Sequence, residues 1–331
     1  MDKININRWA NFILQHPNGN IFQSPEFYNL YIKYSKYEPI VVYTEDDDSF
    51  TGMLLAVIQK EHSGIIGRLS ARSIIIGGPI IKNNDPRYLH EIMAKYFDTI
   101  KGKVIYTQFR NLWDWSDLKS VFETYKFKYE EHLDILIDLT DVNKIEQGIS
   151  KNKKRNIIKS QNKGLIFREI QIENEYYEGI NLILSTYKKI GLPCPSKEYF
   201  ELSYKEFSPS GLLKIFGAFI EDRLIGVRME LIFKDKIYDW YAGADEKMSN
   251  KYPNDFLIYN ILMWGNENEF RVFDFGGAGK PNVPYGVRDY KLKFGGEIVS
   301  FGRFQYINNS FLYNLGLIGL TFYKLTKKII K

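Results

Sequence analysis

The sequence predicts an α+β protein made of two tandem units, each with a mixed, mostly antiparallel twisted sheet flanked by helices. Three observations support this prediction. The 331 residues exceed the usual length of one domain. Aromatic residues make up 16% of the chain, which favours strand-rich structure. The predicted elements also follow one order twice: helices, an antiparallel meander, a helix and a further strand. We expect a first domain over residues 1–140, a second over 141–305, and a C-terminal amphipathic helix over 306–331.

Charged and glycine-rich turns separate the elements of the first domain. Four successive acidic residues, Glu45 to Asp48, mark a turn between two strands. Gly77-Gly78-Pro79 ends the third strand, because glycine and proline interrupt regular strand pairing. In chain order, the pattern predicts a helix over 25–36, strands over 39–43, 49–60 and 70–76, a helix over 87–99, a strand over 103–108, a helix over 115–125 and a strand over 132–139.

Two tight hairpins organise the second domain. Glu221-Asp222-Arg223 and Lys234-Asp235-Lys236 each separate two strand-like segments. Gly276-Gly277 ends the last strand. In chain order, the pattern predicts helices over 173–189 and 196–206, strands over 214–220, 224–233 and 237–242, a helix over 254–268 and a strand over 271–275.

The composition excludes several classes of protein. Cys194 is the single cysteine, which excludes an internal disulfide, a zinc finger and an iron–sulfur cluster. The four histidines do not lie at metal-ligand spacing, and we expect neither a metal nor a bound cofactor. The net charge of +5 is too small for a protein that coats nucleic acid, and we expect no DNA partner. The low cysteine content and the lack of a signal-peptide pattern predict a cytoplasmic protein.

A basic stretch runs from Ser150 to Gly164, with six basic residues and no acidic one. Lys151, Arg155 and Lys159 are spaced four apart, so on a helix they form one stripe. Two interpretations remain open: an ordinary solvated face, or a docking surface for the phosphates of a nucleotide diphosphate, a tRNA or an anionic lipid. The candidate phosphate- or tRNA-binding residues are Lys151, Lys154, Arg155 and Lys159.

The glycine-rich segment from Phe273 to Gly296 is the most informative part of the chain. It is not a phosphate-binding P-loop, because Asp274 stands where that motif needs glycine and Pro281 where it needs serine or threonine. It also lacks the third glycine of a dinucleotide-binding fingerprint. Basic residues on a glycine-rich loop suit an anionic or oxyanionic ligand, although an ordinary surface loop can have the same composition. These basic residues are Lys280, Arg288, Lys291 and Lys293.

Several motifs of the chain resemble those of the Fem-type aminoacyltransferases, which form peptidoglycan interpeptide bridges. The motifs are FDFGG…GVRDYKLKFGGE, SKNKKRNIIKSQNKGL, TYKKIGL…EYF and YDWYAGAD, with a looser likeness at IFQSPEFY and IIIGGPII. The resemblance is strongest over residues 150–305. It implies two tandem acetyltransferase-like (GNAT-type) domains, within the wider group of acyltransferases that share this fold.

The resemblance also implies a function and a set of site residues. Such an enzyme transfers an aminoacyl or acyl group to an amine of a peptidoglycan or other cell-envelope precursor, with aminoacyl-tRNA or acyl-CoA as co-substrate. Lys291 matches the lysine of the family's aromatic-Lys-x-x-Phe-Gly-Gly motif, which implies a catalytic role in stabilising the oxyanion or the tRNA end. The implied substrate-binding residues are Lys189, Tyr241, Asp274, Gly276, Gly277, Lys280 and Arg288.

Departures from the family pattern keep two alternatives open. Tyr31 stands where relatives that act on a nucleotide-linked precursor carry lysine, and Lys189 replaces an arginine, which binds phosphate as a bidentate fork. The long helical hairpin of some members is absent. No Arg/Gln-x-x-Gly-x-Gly/Ala loop occurs between Ala242 and Asn254, which argues against acetyl-CoA. The alternatives are an N-acyltransferase that uses an acyl thioester on an amino sugar of a surface polysaccharide, and a non-catalytic module that binds a glycan precursor. The precursor is nucleotide-linked or lipid-linked in either case.

The C-terminal segment has an amphipathic helical pattern. Apolar residues recur at steps of four and three, and lysines gather at the end. The apolar positions are Phe311, Leu315, Ile318, Phe322, Leu325 and Ile329, and the lysines are Lys324, Lys327, Lys328 and Lys331. We predict that this helix packs against the first domain. The alternative is an interfacial helix that contacts the inner face of the membrane.

Overall fold

The computed structural model describes residues 4–47, 49–60, 70–316 and 318. The chain forms two compact units. The first unit runs from the start of the chain to Glu131 and resumes at Phe301, and the second runs from His132 to Ser300. Each described unit combines one mixed sheet with helices, so the predicted α+β class with two sheets is confirmed.

The first unit contains a seven-stranded sheet with the order β1-β2-β3-β5-β14-β6, and β4 pairs with β2. Among the described strand pairs of this sheet, only β3 and β5 run parallel. The strands are β1 (Tyr37–Asp46), β2 (Ser49–Gln59), β3 (Arg72–Ile76), β4 (Ile80–Ile81), β5 (Tyr106–Arg110), β6 (Lys128–Glu130) and β14 (Arg303–Ile307). The helices are α1 (Ile6–Gln15), α2 (Pro25–Lys33), α3 (Pro86–Ile100) and α4 (Lys119–Thr124).

Side-chain caps and an apolar stripe explain the helices of the first unit. Ser24 and Asp85 accept backbone hydrogen bonds at the starts of α2 and α3, and a proline follows each cap. The buried face of α3 includes Met93 and Tyr96, whose hydroxyl lies 2.6 Å from the Ser73 hydroxyl. One apolar cluster of this unit therefore lies between α3 and the sheet.

The second unit contains a seven-stranded sheet with the order β13-β7-β12-β11-β10-β9-β8, in which β11 and β12 run parallel and the other neighbours antiparallel. The strands are β7 (Leu133–Asp138), β8 (Leu165–Glu169), β9 (Leu213–Ile220), β10 (Arg223–Phe233), β11 (Lys236–Ala244), β12 (Val272–Gly277) and β13 (Glu297–Ser300). The helices are α5 (Val142–Gly148), α6 (Lys151–Asn162), α7 (Glu173–Ile190), α8 (Lys197–Phe207), α9 (Pro253–Glu267) and α10 (Gly286–Lys291).

The predicted domain boundaries are corrected at two strands. β7 belongs to the second sheet, where it pairs with β12 and β13, so the boundary lies at residue 131 rather than 140. β14 returns to the first sheet between β5 and β6, so the second unit ends at residue 300 rather than 305. Both errors arise because strand pairing over long sequence separations leaves no local signal.

The predicted C-terminal helix is described only at its start. Residues 310–316 are helical, and the ring of Tyr313 contacts that of Tyr106 in the first unit. The predicted apolar positions Phe311, Leu315 and Ile318 are exposed rather than packed, which contradicts the packing prediction for this part. The other predicted positions, Phe322, Leu325, Ile329 and the four lysines, lie outside the described residues. Among the described residues, no helix has the length and apolar character needed to cross a bilayer.

Candidate active site in the second unit

A bulge in β12 forms the centre of the candidate site. The pairing of β12 with β7 shifts between Asp274 and Gly277. Gly276 has a φ of +69°, in the left-handed region that favours glycine. Lys291, at the end of α10, donates hydrogen bonds to the carbonyls of Phe275, Gly276 and Gly277 at 2.5, 3.3 and 3.2 Å. The glycines of the motif therefore shape a backbone cradle for the lysine ammonium group.

The electrostatic surroundings of Lys291 combine burial with several charged neighbours. Burial lowers the pKa of Lys291, whereas the nearby carboxyl groups of Asp239, Asp134 and Asp274 act in the opposite direction. The net shift of its pKa is downward. Lys291 can therefore exchange a proton more readily than an exposed lysine can.

Two buried carboxyl groups, Asp134 on β7 and Asp274 on β12, form a pair beside Lys291. Asp274 accepts a hydrogen bond from the Gly276 N–H at 2.7 Å, and Asp134 accepts one from the Ile135 N–H at 2.9 Å. Burial raises the pKa of both groups, and the charge of Asp274 further raises the pKa of Asp134. The contact between the two side chains raises the pKa of Asp134 and lowers that of Asp274, so it favours a proton on Asp134.

A second buried group of charges lies on β10 and β11. The Arg228 guanidinium forms ion pairs with Asp239 and Glu230. Burial would lower the pKa of Arg228, but the charges of Asp239 and Glu230 raise it overall. Glu230 is fully buried, and burial together with the charge of Asp239 raises its pKa well above the ordinary range. The group therefore consists of one buried guanidinium held between two carboxyl groups, Asp239 and Glu230. Both Arg228 and Asp239 influence the pKa of Lys291.

A cleft of about 710 Å³ lies between α7, the loop that follows β11, and the first turn of α9. Its lining includes Thr186, Lys189, Ala244 and Tyr290. Gly243 allows α7 to lie close to β11, because a Cβ atom at this position would be 2.4 Å from the Ile183 backbone nitrogen. Tyr290 lines this cleft, and the next residue in the chain is Lys291.

Lys153 of α6 stabilises the wall of this cleft. Its side chain is 8% exposed, and its Nζ lies 2.5 Å from Asp255 Oδ1 and 4.0 Å from the centre of the Tyr290 ring. The Tyr290 hydroxyl donates to the same oxygen at 2.8 Å, and Asn156 donates to the other at 2.8 Å. Burial lowers the pKa of Lys153, and the hydrogen bond to Asp255 opposes that shift. One carboxylate thus joins α6, α9 and α10.

The charges around the start of α9 are balanced. Asp255 pairs with Lys153, Glu246 with Lys189, and Asp245 with Arg223. Pro253, the first residue of the helix, has no N–H to donate. A missing donor, and cations that are already engaged by carboxylates, make this helix start a poor binding site for a pyrophosphate group.

The structure places the other predicted substrate-binding residues in different surroundings. Arg288 donates to the carbonyls of Lys280 and Val283 at 2.8 and 2.7 Å, so its guanidinium shapes the loop between β12 and α10. The Lys280 side chain is exposed. Tyr241 lies among the rings of Tyr187, Phe200 and Trp240. Only Asp274, Gly276 and Gly277 gather directly around Lys291, and Lys189 lies at the cleft.

The basic stretch forms α6, as the charge spacing suggested. Lys151, Lys154, Arg155 and Lys159 are all exposed on it. Sequence reasoning missed Lys153, although it shares the buried face of the helix with Ile157 and Ser160. It also missed Asp134, Asp255, Arg228, Glu230 and Asp239. The pair Arg228 and Glu230 had a usable signal, because charged residues are unexpected within an otherwise apolar strand segment.

Comparisons with known proteins agree with this architecture. Residues 186–292 match the family model described as an acetyltransferase (GNAT) domain. Part of the chain is therefore similar to an acetyltransferase domain, and the prediction of an acyltransferase is confirmed. No curated protein sequence matches the chain.

Solved structures show the same fold. The structure of FemX is 14% identical, with a TM-score of 0.75, and the match covers 95% of this chain and 98% of FemX. L-PGS from Bacillus licheniformis is 13% identical, with a TM-score of 0.59 and 95% of each chain covered. A tandem GNAT protein from the clavulanic acid biosynthesis pathway is 8% identical, with a TM-score of 0.55 and coverage of 93% of this chain and 96% of that one. The tandem acetyltransferase-like fold is thereby confirmed.

Proposed function

We propose that this acyltransferase moves an aminoacyl or acyl group from an ester or thioester donor to an amine of a cell-envelope precursor. The observation that carries the proposal is the arrangement of Lys291, the β12 bulge and the Asp134–Asp274 pair. It brings a cation and a carboxyl pair together. Acyl transfer to an amine needs both, because negative charge develops on the carbonyl oxygen while the amine loses a proton.

In the proposed mechanism, the amine nitrogen attacks the carbonyl carbon of the donor and forms the new C–N bond. The amine proton passes to the Asp134–Asp274 pair. Lys291 exchanges one of its backbone carbonyl partners for the substrate oxygen and stabilises the oxyanion. When the C–O or C–S bond of the donor breaks, the leaving atom takes the proton from the pair, which returns the protein to its starting state.

The charges of the cleft support an aminoacyl ester rather than a coenzyme A thioester as the donor. Each of the three carboxylates around the start of α9 already engages a cation that a coenzyme A pyrophosphate would need. The exposed basic face of α6 offers an alternative place for phosphates, and it suits the backbone of a tRNA. The proposed contacts are Lys151, Lys154, Arg155 and Lys159.

Residue 31 of the first unit is a tyrosine, so it provides no positive charge for binding the phosphates of an acceptor. Tyr31 is buried, and its ring packs against those of Phe27 and Tyr37, each at 5.6 Å. Burial raises the pKa of Tyr31, so the hydroxyl stays neutral. This favours a lipid-linked precursor over a nucleotide-linked one. It also supports a second candidate function, N-acylation of an amino sugar during surface polysaccharide synthesis.

The test of the proposal is a mass measurement on the acceptor. The full chain is incubated with charged tRNA or, separately, with acyl-CoA, together with lipid-linked and nucleotide-linked precursors and amino sugars. We expect a mass gain on a lipid-linked acceptor with charged tRNA. A gain on an amino sugar with acyl-CoA would establish the second candidate instead, and no gain with any pair would refute both.

Replacing Lys291 by alanine tests the site. We expect turnover to fall about 10²–10³-fold, the usual effect of removing one oxyanion stabiliser. Lys293→Ala is the matched control, because Lys293 is exposed and lies two residues further along the chain. Equal turnover of the two variants would remove Lys291 from the reaction.

Charge reversal tests the basic face. Lys154→Glu with Lys159→Glu should weaken tRNA binding and reduce the dependence of its affinity on salt, because fewer counterions are then released. Lys101→Glu with Lys103→Glu, two exposed lysines of the first unit, is the control. An unchanged salt dependence would show that the α6 face is only solvated.

A further inference from the structure

Strand β5 of the first sheet carries an arginine on the face that points away from α3. Tyr106, Gln108 and Arg110 are half-buried, and they alternate with the buried residues Thr107 and Phe109. Successive side chains of a strand project to opposite faces of the sheet. Phe109 belongs to the apolar cluster beneath α3, so Arg110 lies on the other face.

The guanidinium group of Arg110 is held from one side. Its Nε donates to Gln108 Oε1 at 3.1 Å, and Gln108 Nε2 donates to Gln305 Oε1 on β14 at 3.1 Å. Gln305 Nε2 in turn donates to the Tyr313 hydroxyl at 3.2 Å. Each amide uses its oxygen as acceptor and its nitrogen as donor, so the orientation of the chain is fixed. In the part of the protein that the structure describes, this guanidinium has no other hydrogen bond, which leaves its two Nη atoms for another group.

The charge of Arg110 is not balanced by a carboxylate. Among the described residues it forms no ion pair, and its neighbours across the sheet are Ile76 on β3 and Arg303 on β14. Glu130, the nearest carboxylate in the register, lies on the far side of Arg303. Burial lowers the pKa of Arg110, and the charge of Arg72 acts in the same direction. A partly desolvated cation without an anion is unfavourable, and a bound anion would remove that penalty.

The surroundings of Arg110 suit a phosphate group better than a carboxylate. A second guanidinium, that of Arg72, lies close enough to influence the pKa of Arg110, and two cations suit an anion with more than one negative charge. The hydroxyl groups of Tyr31, Tyr37 and Tyr106 lie in the same surroundings and can donate further hydrogen bonds. The planar fork of an arginine matches two phosphate oxygens at once.

We propose that the first unit has a phosphate-binding site on this face of its sheet, in which Arg110 binds two oxygens of the phosphate through its Nη atoms. Arg72 adds a second positive charge, and the tyrosine hydroxyls add neutral donors. The ligand is a phosphate or diphosphate group, and the nucleotide part of one molecule or the lipid-linked part of another can provide it. The proposal does not depend on the acyl transfer proposed above, because binding is measured without a donor.

Titration calorimetry of the full chain with inorganic pyrophosphate tests the site. We expect pyrophosphate to bind, and acetate to bind about tenfold more weakly or less. Arg110→Met should lower the affinity for pyrophosphate about tenfold to a hundredfold, because charge-assisted hydrogen bonds are lost. Arg110→Lys keeps the charge without the fork and should give an intermediate affinity. Arg87→Met is the matched control, since Arg87 is an exposed arginine of the same unit that already pairs with Asp85. It should bind like the wild type.

Melting curves separate a binding arginine from a structural one. Without ligand, Arg110→Met should melt at the wild-type temperature or above it, because the variant no longer holds an unbalanced charge. Pyrophosphate should raise the Tm of the wild type and of Arg87→Met, but not that of Arg110→Met. An arginine that only supports the fold would give the opposite result, a lower Tm of the Arg110→Met variant with an unchanged affinity.

The source of the phosphate is identified with two further titrants, adenosine diphosphate and a short-chain prenyl diphosphate. The one that binds more tightly than pyrophosphate shows which kind of molecule the site takes, and Arg110→Met should weaken its binding.

Three outcomes would overturn the proposal. One is the absence of pyrophosphate binding, and another is equal affinity for acetate and pyrophosphate. The third is an unchanged pyrophosphate affinity in Arg110→Met together with a loss in Lys154→Glu, Lys159→Glu, which would assign the binding to α6.

Discussion

Replacing Asp134 by asparagine should abolish activity while it stabilises the protein at neutral pH. Asparagine has nearly the shape of a protonated aspartic acid and can still donate a hydrogen bond to Asp274. It cannot give up or receive the shared proton. In the wild type, the Asp134 carboxyl group is buried and lies beside that of Asp274. This arrangement lowers stability, but the proposed proton transfer requires it.

The increase in stability expected for Asp134→Asn follows from proton linkage. Burial and the charge of Asp274 raise the folded-state pKa of Asp134 above its unfolded value of about 3.9. Between these two pKa values, the folded wild type holds a proton that the unfolded chain releases. Its free energy of unfolding therefore falls by about 1.4 kcal/mol for each pH unit that the pH rises through this window. The free energy of unfolding of the variant does not fall in this way. For a unit of this size, each 1 kcal/mol of difference in that free energy corresponds to about 2–4 °C in Tm.

Urea unfolding and melting at several pH values between 4 and 8 provide the assay. The difference between variant and wild type should be smallest at the acidic end and grow in favour of the variant as the pH rises. Asp138→Asn is the control on the same strand, since hydrogen bonds from Thr140 lower the pKa of that exposed carboxyl group. The control should show no such gain. Parallel stability curves for Asp134→Asn and wild type would refute the shared proton, and full activity of the variant would refute its role in catalysis.

Three further substitutions test packing and buried contacts, each by the urea midpoint and Tm. Lys153→Met should destabilise the second unit by about 3–5 kcal/mol, because it leaves the Asp255 carboxylate buried without its cation. Lys154→Met is the control, since it changes only an exposed residue. Equal destabilisation by the two substitutions would contradict the buried ion pair. Gly243→Val should destabilise the same unit because its Cβ would overlap the Ile183 backbone, and an unchanged Tm would show that α7 can move away freely. Gln23→Leu should lower the free energy of unfolding by about 1–3 kcal/mol or more, because the Gln23 amide forms hydrogen bonds with buried backbone groups of Leu55 and Ile76 and leucine cannot. An unchanged free energy of unfolding would mean that water replaces these hydrogen bonds.

Local chemistry made part of the fold predictable from the sequence. The strands that flank Glu221-Asp222-Arg223 and Lys234-Asp235-Lys236 pair as predicted, because turn residues and apolar segments act over a few positions. The stripe that the basic residues would form on a helix is present on α6. The sheets to which β7 and β14 belong were not predictable in this way, because the strands with which they pair lie far away in the sequence.

The candidate site was predictable only where its residues lie within one motif. Asp274, the two glycines and Lys291 fall within 18 residues of one another, and the family resemblance identified them together. Asp134 meets Asp274 only through the pairing of β7 with β12. Lys153 was hidden among five other basic residues, and only the phase of the helix, which turns it toward Ile157 and Ser160, separates it from them.

The position of β14 has a consequence for protein synthesis. This strand occupies the interior of the first sheet, between β5 and β6, and Arg303 pairs with Glu130. The ribosome therefore makes nearly the whole chain before the first sheet can be completed. The second unit is continuous in sequence, and all its strands have been made once Ser300 emerges. The half of the protein that is translated first is thus the half that finishes folding last, and until then β5 and β6 present unpaired edges that a nascent chain must keep from aggregating.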